Sequence, residues 1–200
     1  MPATGIKKRA KKIKLVLMDV DGVLTDGRLY FLPAPDGSLQ EVKGFNAVDG
    51  IGIRLLGIFG IPSGVITGRN AGTTGARARM LGMKYAYMGF VSKLKPLADI
   101  LKREGIAPGE VCYIGDDLTD IPLMRRVGLA CAVKNATGET KKAAHYVTAA
   151  RGGEGAVREV CDLILKSQGR WPAVMENVEQ ARWPRLDGAK IVTVTSTDEH

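Results

Sequence analysis

Histidine is nearly missing from this chain, with two residues in 200, and cysteine is little better represented with three. Cys112, Cys131 and Cys161 are odd in number, widely spaced and in no C-x-x-C pair, which argues against a disulfide framework and a zinc site. Reduced, buried thiols in a cytoplasm fit this usage. Long apolar runs are lacking too: the most apolar longer region, Ile51 to Thr67, is broken by Arg54, Pro62 and several glycines, so no segment reads as a bilayer span. Acidic residues are absent from the first 14 positions, where Lys7, Lys8, Arg9, Lys11, Lys12 and Lys14 supply six units of the formal charge of +8 and leave +2 for the rest. A basic stub over residues 1–12 on a nearly neutral body reads as a solvated end rather than an arm for nucleic acid or a membrane surface. The apolar stretch after it is short and runs into Asp19 and Asp21, so it does not read as an export signal either. With 45% hydrophobic and 6% aromatic residues, the chain has enough apolar material for one soluble domain of ordinary size.

What is present alternates. Short β-branched apolar runs at Lys14 to Met18, Gly64 to Ile66, Tyr85 to Tyr87, Val111 to Ile114 and Leu129 to Ala132 predict buried strands. Amphipathic stretches at Gly50 to Phe59, Ala71 to Leu81, Lys93 to Glu104, Ile121 to Arg126 and Gly155 to Ser167 predict the helices between them. This is the pattern of βαβ units around a parallel sheet, an α/β Rossmann-like fold with flanking helices over residues 13–168. Gly27 to Phe45 departs from it: Leu29-Tyr30-Phe31-Leu32 and Leu39-Gln40-Glu41-Val42-Lys43 flank Pro33-Ala34-Pro35-Asp36-Gly37-Ser38. That segment predicts a β-hairpin projecting as a flap. Beyond Gly169 the periodicity fades and Trp171, Pro172, Trp183 and Pro184 sit among polar residues, so 169–200 reads as a poorly ordered tail.

Ligands of an open α/β sheet gather at the carboxyl ends of its strands, and the strand ends here carry chemistry. The first delivers Asp19-Val20-Asp21-Gly22, two carboxylates after a wholly apolar run, which is costly unless a cation or hydrogen bonds hold them. The second ends in Thr67-Gly68-Arg69, with a hydroxyl and backbone N–H donors. The fourth ends in Gly115-Asp116-Asp117-Leu118-Thr119-Asp120, and Lys93 opens a helix after Tyr87-x-Gly89. Acids, a hydroxyl and an ammonium together suit phosphoryl transfer. Oxygen-only ligands suit a hard ion such as Mg²⁺.

In this order and context D-V-D-G-V-L-T, I-T-G-R, a lysine and G-D-D-x-x-D resemble the four motifs of the haloacid dehalogenase superfamily. D-V-D-G-V-L-T-D-G, G-F-N-A-V-D-G-I-G-I-R, Y-I-G-D-D-L-T-D and G-G-x-G-A-V-R-E-V-C-D-L-I-L narrow the resemblance to its cap-less subfamily of 3-deoxy-D-manno-octulosonate 8-phosphate phosphatases. The resemblance covers residues 14 to about 168 and implies no separate cap domain. It implies lipopolysaccharide sugar synthesis and a homotetramer whose hairpins form a central barrel. It further implies that Asp19 is the nucleophile and forms an aspartyl phosphate, and that Asp21 protonates the leaving oxygen and then deprotonates water. Thr67 and Lys93 would hold the phosphoryl oxygens, and Asp120 would orient Lys93. Mg²⁺ would be held by the Asp19 side chain, the Asp21 carbonyl and Asp116, with Asp117 close by. Contacts to the rest of a phosphorylated sugar acid transfer to Asp21, Asn46, Asp49, Gly50, Arg54, Gly68, Arg69, Arg77 and Lys93. Arg158 either serves a neighbouring subunit's site or pairs within its own helix. Val48 and Glu154 stand where the family usually carries a basic residue. Related cap-less enzymes act on nonulosonate 9-phosphates, and a similar protein is the small subunit of phenylphosphate carboxylase. An assembly role without catalysis is the other class of explanation.

Overall fold

Residues 3–184 and 191–196 are described by a computed structural model. Its strands are β1 (Leu15–Met18), β2 (Tyr30–Pro33), β3 (Leu39–Val42), β4 (Ser63–Thr67), β5 (Tyr85–Met88), β6 (Val111–Gly115), β7 (Leu129–Ala132), β8 (Tyr146–Val147) and β9 (Val192–Thr195). The helices are α1 (Ala3–Ala10), α2 (Ala47–Ile58), α3 (Gly72–Met80), α4 (Leu94–Glu104), α5 (Ile121–Met124), α6 (Gly138–Ala143), α7 (Ala156–Ser167) and α8 (Trp171–Glu179). Every residue of β1, β4, β5, β6 and β7 is buried, as strands covered on both faces by helices must be. They belong to one sheet of order β8-β7-β6-β1-β4-β5-β9 in which every pairing is parallel. From β1 the chain crosses to β4 and β5 on one side, then returns to β6 on the other. That reversal opens the crevice beside β1 where the acids lie.

The expected Rossmann-like sheet and flap are both present. β2 and β3 pair antiparallel, Tyr30 opposite Val42 and Pro33 opposite Leu39, closed by a turn in which the Asp36 carboxylate accepts from the Ser38 N–H at 3.0 Å. α2 begins three residues before its expected start because the Asn46 side chain caps it, accepting from the Val48 N–H at 2.8 Å. α2 and α7 cross closely at Gly52, where a Cβ would lie 3.1 Å from the Arg158 Cα.

Both chain ends correct the sequence reading. Residues 3–10 of the basic stub are not a solvated end but helix α1, which packs on α7. Ile6, Ala10 and Ile13 are buried, and the Gln168 amide donates to the Ile13 carbonyl at 2.7 Å. The cations dominated the composition and hid an apolar spacing of three to four residues. The expected poorly ordered tail instead carries α8, with Val174 buried and Lys166 4.3 Å from the Trp171 ring centroid, and β9, which adds a seventh strand beside β5. Residues 1–2, 185–190 and 197–200 of these two segments lie outside the described residues. α6 and β8 were also absent from the sequence reading, both too short to show a period.

Candidate active site

β1 hands the chain directly to Asp19, whose N–H donates to the Ile114 carbonyl at 3.0 Å, so the aspartate is held by the sheet ladder itself. Its Oδ1 accepts from the Val20 N–H at 2.6 Å and its Oδ2 pairs with Lys93 Nζ at 2.8 Å. Burial pushes the Asp19 carboxyl up to about 6, although the Lys93 ammonium pulls the other way. Opposite, at the end of β6, burial and then the charge of Asp19 push Asp116 up to about 8. Gly22 lets the two strand ends approach: it has φ +89°, and a Cβ there would lie 2.1 Å from Asp116 Oδ2, so no other residue fits.

Lys93 is the pivot of the buried charges. Only 2% of its side chain is exposed, and it bridges Asp19 to Asp120 Oδ1 at 2.6 Å. Burial opposes its charge, yet Asp19 and Asp120 outweigh that and hold its pKa above the ordinary value. Tyr113, buried in β6, donates its hydroxyl hydrogen to Asp120 Oδ1 at 2.7 Å and accepts from Lys93 Nζ at 3.1 Å. Asp120 Oδ2 accepts the Asp116 and Asp117 N–H groups at 2.9 and 3.2 Å. Asp120 therefore orients Lys93 and the loop after β6 at once.

The residues fit a hard divalent cation. Oxygens of Asp19, Asp116 and Asp120 lie within 4.8 Å of one another, but those of Asp120 are consumed by the four hydrogen bonds just described. Asp116 Oδ1 is buried without a partner, and it and the Asp19 carboxylate are close, buried acids of the kind a divalent cation would hold charged. Asp19 and Asp116 are thus the side chains open to a metal. Asp117 lines the same space, but its Oδ1 accepts from the Leu118 N–H at 2.7 Å and starts a short 3₁₀ turn.

A cavity of about 210 Å³ collects Asp19, Asp21, Asp116 and Asp117 from β1 and β6, Thr67, Gly68 and Arg69 from β4, and Lys93. Thr67 is buried, and its hydroxyl accepts from the Arg69 N–H at 3.3 Å. Five expected substrate contacts do not line this cavity. Asn46 caps α2 and donates to the Gly153 carbonyl at 3.1 Å. Asp49 accepts from the Arg158 N–H at 2.8 Å and the Gly155 N–H at 3.3 Å, capping α7. Arg77 packs at Gly50, stacks 5.6 Å from the Phe45 centroid and donates to the Asn46 carbonyl at 3.4 Å. Arg54 is half-buried on α2. Arg158 makes the within-helix pair, 2.7 Å from Asp162.

The sequence reading missed Glu41, Lys43 and Tyr113. Lys43, at the end of the flap and 2% exposed, pairs with Asp21 and lies 2.7 Å from Glu41. Glu41 in turn holds Arg69 at 2.6 Å. A signal existed: opposite charges at i and i+2 on a strand point the same way. Asp21 Oδ2 stays buried and unpartnered.

Comparisons with known proteins place the chain in a family. Residues 86–160 match the haloacid dehalogenase-like hydrolase family. Over 168 residues, 84% of this chain and 87% of the relative, the chain is 44% identical to the 3-deoxy-D-manno-octulosonate 8-phosphate phosphatase of Salmonella typhi. The solved enzyme of that name from Yersinia pestis superposes with a TM-score of 0.80 at 44% identity, covering 84% of this chain and 89% of that one. The one from Moraxella catarrhalis, in complex with magnesium ion, phosphate ion and a KDO molecule, gives 0.83 at 39% identity, covering 88% and 99%. The parallel sheet, the strand-end motifs and identity over most of the chain coincide, and the chain belongs to the haloacid dehalogenase-like hydrolases, in the family of the 3-deoxy-D-manno-octulosonate 8-phosphate phosphatases.

Proposed function

We propose that this phosphatase releases phosphate from 3-deoxy-D-manno-octulosonate 8-phosphate in lipopolysaccharide sugar synthesis, with Mg²⁺ as cofactor, as a cytoplasmic homotetramer. The observation that carries the reading is the Asp19 carboxylate, fixed by the β1 ladder in a cavity whose other walls are Lys93, Thr67 and an unpartnered Asp116 oxygen. Asp19 attacks phosphorus in line, the ester oxygen departs, and the resulting aspartyl phosphate is hydrolysed by water. Lys93 and the Thr67 hydroxyl bind phosphoryl oxygens that gain charge during transfer. Asp21, two residues from the nucleophile, must be released from Lys43 and take up a proton before the first step, in which it gives that proton to the departing sugar oxygen; in the second step it takes one from the water. Mg²⁺ bound by the Asp19 and Asp116 side chains and the Asp21 carbonyl would neutralise charge on the phosphoryl group. Arg69, at the cavity wall, is the receptor for the sugar acid's carboxylate.

The tetramer rests on the family resemblance and on the flap, which exposes Leu29, Tyr30, Phe31 and Leu32 in succession and leaves Leu39 69% exposed. An apolar ribbon of this kind calls for a partner. Among the described residues no helix is long and apolar enough to cross a membrane. A second reading takes a nonulosonate 9-phosphate as substrate. It is favoured by Val48, 51% exposed, and by Glu154, whose pairing is a 3.7 Å contact with Arg151, since the family resemblance leads one to expect a basic residue at both positions. Comparing kcat/KM for the octulosonate 8-phosphate, a nonulosonate 9-phosphate, a neutral sugar phosphate and phenyl phosphate decides between them. The octulosonate ester should be preferred; a preference for the neutral sugar phosphate overturns the sugar-acid reading.

A further inference from the structure

Arg69 does not stand free at the cavity wall. Its Nε donates to both oxygens of Glu41 at 3.2 Å and its Nη2 to Glu41 Oε2 at 2.6 Å, a fork gripping a carboxylate as it would grip a ligand. The carboxylate comes from 28 residues away, on the flap strand β3. Glu41 itself is not among the cavity-lining residues, whereas Arg69 is, and 41% of the Arg69 side chain remains exposed. The hydrogen bond from Arg69, with help from Lys43, holds the Glu41 carboxyl down at about 2, so it is ionised at any working pH. Lys43, 2.7 Å away, gives Glu41 a second cation to rest on if Arg69 is taken by something else.

We propose that Glu41 is a built-in occupant of the carboxylate receptor on Arg69, and that its displacement by the ligand's own carboxylate sets selectivity between acidic and neutral phosphate esters. This rests on the reading above that Arg69 receives the sugar acid's carboxylate. An acidic ester anchored at Asp19 and Lys93 must exchange one carboxylate for another at Arg69, so part of its binding free energy is spent on releasing Glu41. A neutral ester leaves the Glu41–Arg69 pair intact and gains nothing from its loss. Glu41 is thereby a specificity-determining residue that acts through Arg69, outside the reacting atoms.

Glu41→Gln keeps the shape and removes the charge, so a charge-assisted fork becomes a weaker neutral bond. Steady-state kinetics with Mg²⁺ should show KM for 3-deoxy-D-manno-octulosonate 8-phosphate falling by about tenfold, the ratio expected for ~1.4 kcal/mol. Its kcat, and kcat/KM for phenyl phosphate, should stay within about twofold. Glu41→Ala, which removes the acceptor altogether, should lower the acidic KM at least as far. In an Arg69→Ala background, Glu41→Gln should lose its effect on the acidic KM, as a double-mutant cycle requires of two groups acting as one. A matched pair, 6-phosphogluconate and sorbitol 6-phosphate, separates the two readings. If the wild type rejects the octulosonate ester, the proposed substrate is wrong, while a shift of the acidic member alone in Glu41→Gln still upholds the Glu41 assignment. An acidic KM that is unchanged or raised, or neutral esters that shift by the same factor, overturns it and leaves Glu41 as a fixed brace of Arg69.

Discussion

Two networks of carboxylates and cations face the same cavity, and they are built differently. In the first, Asp19 ends β1, Tyr113 lies within β6, Asp120 closes the short turn after β6 and Lys93 precedes α4, and every partner is buried. In the second, Asp21, Lys43, Glu41 and Arg69 join the sheet to a two-stranded flap whose apolar side chains are exposed. The first cannot relax without breaking the sheet. The second is held in part by a separate two-stranded sheet that the parallel ladder does not fix. A buried charge left without its partner is costly only if water cannot reach it, so similar ion pairs should differ in worth. The rigid network should govern stability and the nucleophilic step, and the hinged one, beyond the proton transfers of Asp21, selectivity.

The largest effect expected is at the nucleophile. Asp19→Asn keeps the Val20 contact and the fold but cannot form the aspartyl phosphate, so Mg²⁺-dependent phosphate release should drop by ~10³-fold or more. Appreciable residual turnover would remove Asp19 from its role and with it the reason for the rigid network.

The comparison itself is tested by a pair of lysines. The side chains of both Lys43 and Lys93 are 2% exposed. Lys93→Met strands Asp19 and Asp120 in the sheet and should cost ~3–5 kcal/mol. Lys43→Met strands Asp21 and Glu41 at the hinge of the flap, where water can re-enter, and should cost ~1 kcal/mol, the scale of an exposed pair. Denaturant unfolding of the two variants reads this directly, and equal losses would abolish the distinction. Tyr113→Phe sharpens it further: Lys93 and Asp120 each lose one of several hydrogen bonds, and the same measurement should show ~1–2 kcal/mol.

The difference between the networks also explains what the sequence could reveal. Asp19, Thr67 and Asp116 come at the ends of apolar runs, where a polar residue announces itself, whereas Lys93, beyond the end of β5, is legible only together with them. The parallel sheet was legible for the same reason, because its strands read as continuous apolar runs. Glu41 sits in a strand of mixed character and Lys43 just beyond it, and nothing local tells that Arg69, 28 residues on from Glu41, is folded against that carboxylate. Asn46 and Asp49 are expected from the family resemblance as substrate contacts. Their side chains are taken up by helix caps on α2 and α7, since an Asn or Asp beside a helix start serves a cap and a ligand equally well. Helix α1 was hidden by its six-cation neighbourhood, and β9 by the break between it and the rest of the sheet, which no periodicity spans.

The smallest effect expected is on pH, and its sign follows from Glu41. Its carboxyl is lowered from the ordinary 4.5 to about 2, first by the hydrogen bond from Arg69. A depressed acid favours the folded arrangement above its ordinary pKa and loses that contribution as protons are taken up between the two values. The attachment of the flap to Arg69 should therefore be unchanged from neutral pH down to about 4.5 and weaken between there and about 2. Hydrogen exchange at the amides of 39–42, measured at several pH values and corrected for intrinsic rates, should show protection falling over that window in the wild type. In Glu41→Gln the fall over the same window should be smaller. Protection that falls equally in both proteins would mean that other acids set the acid limit of the flap.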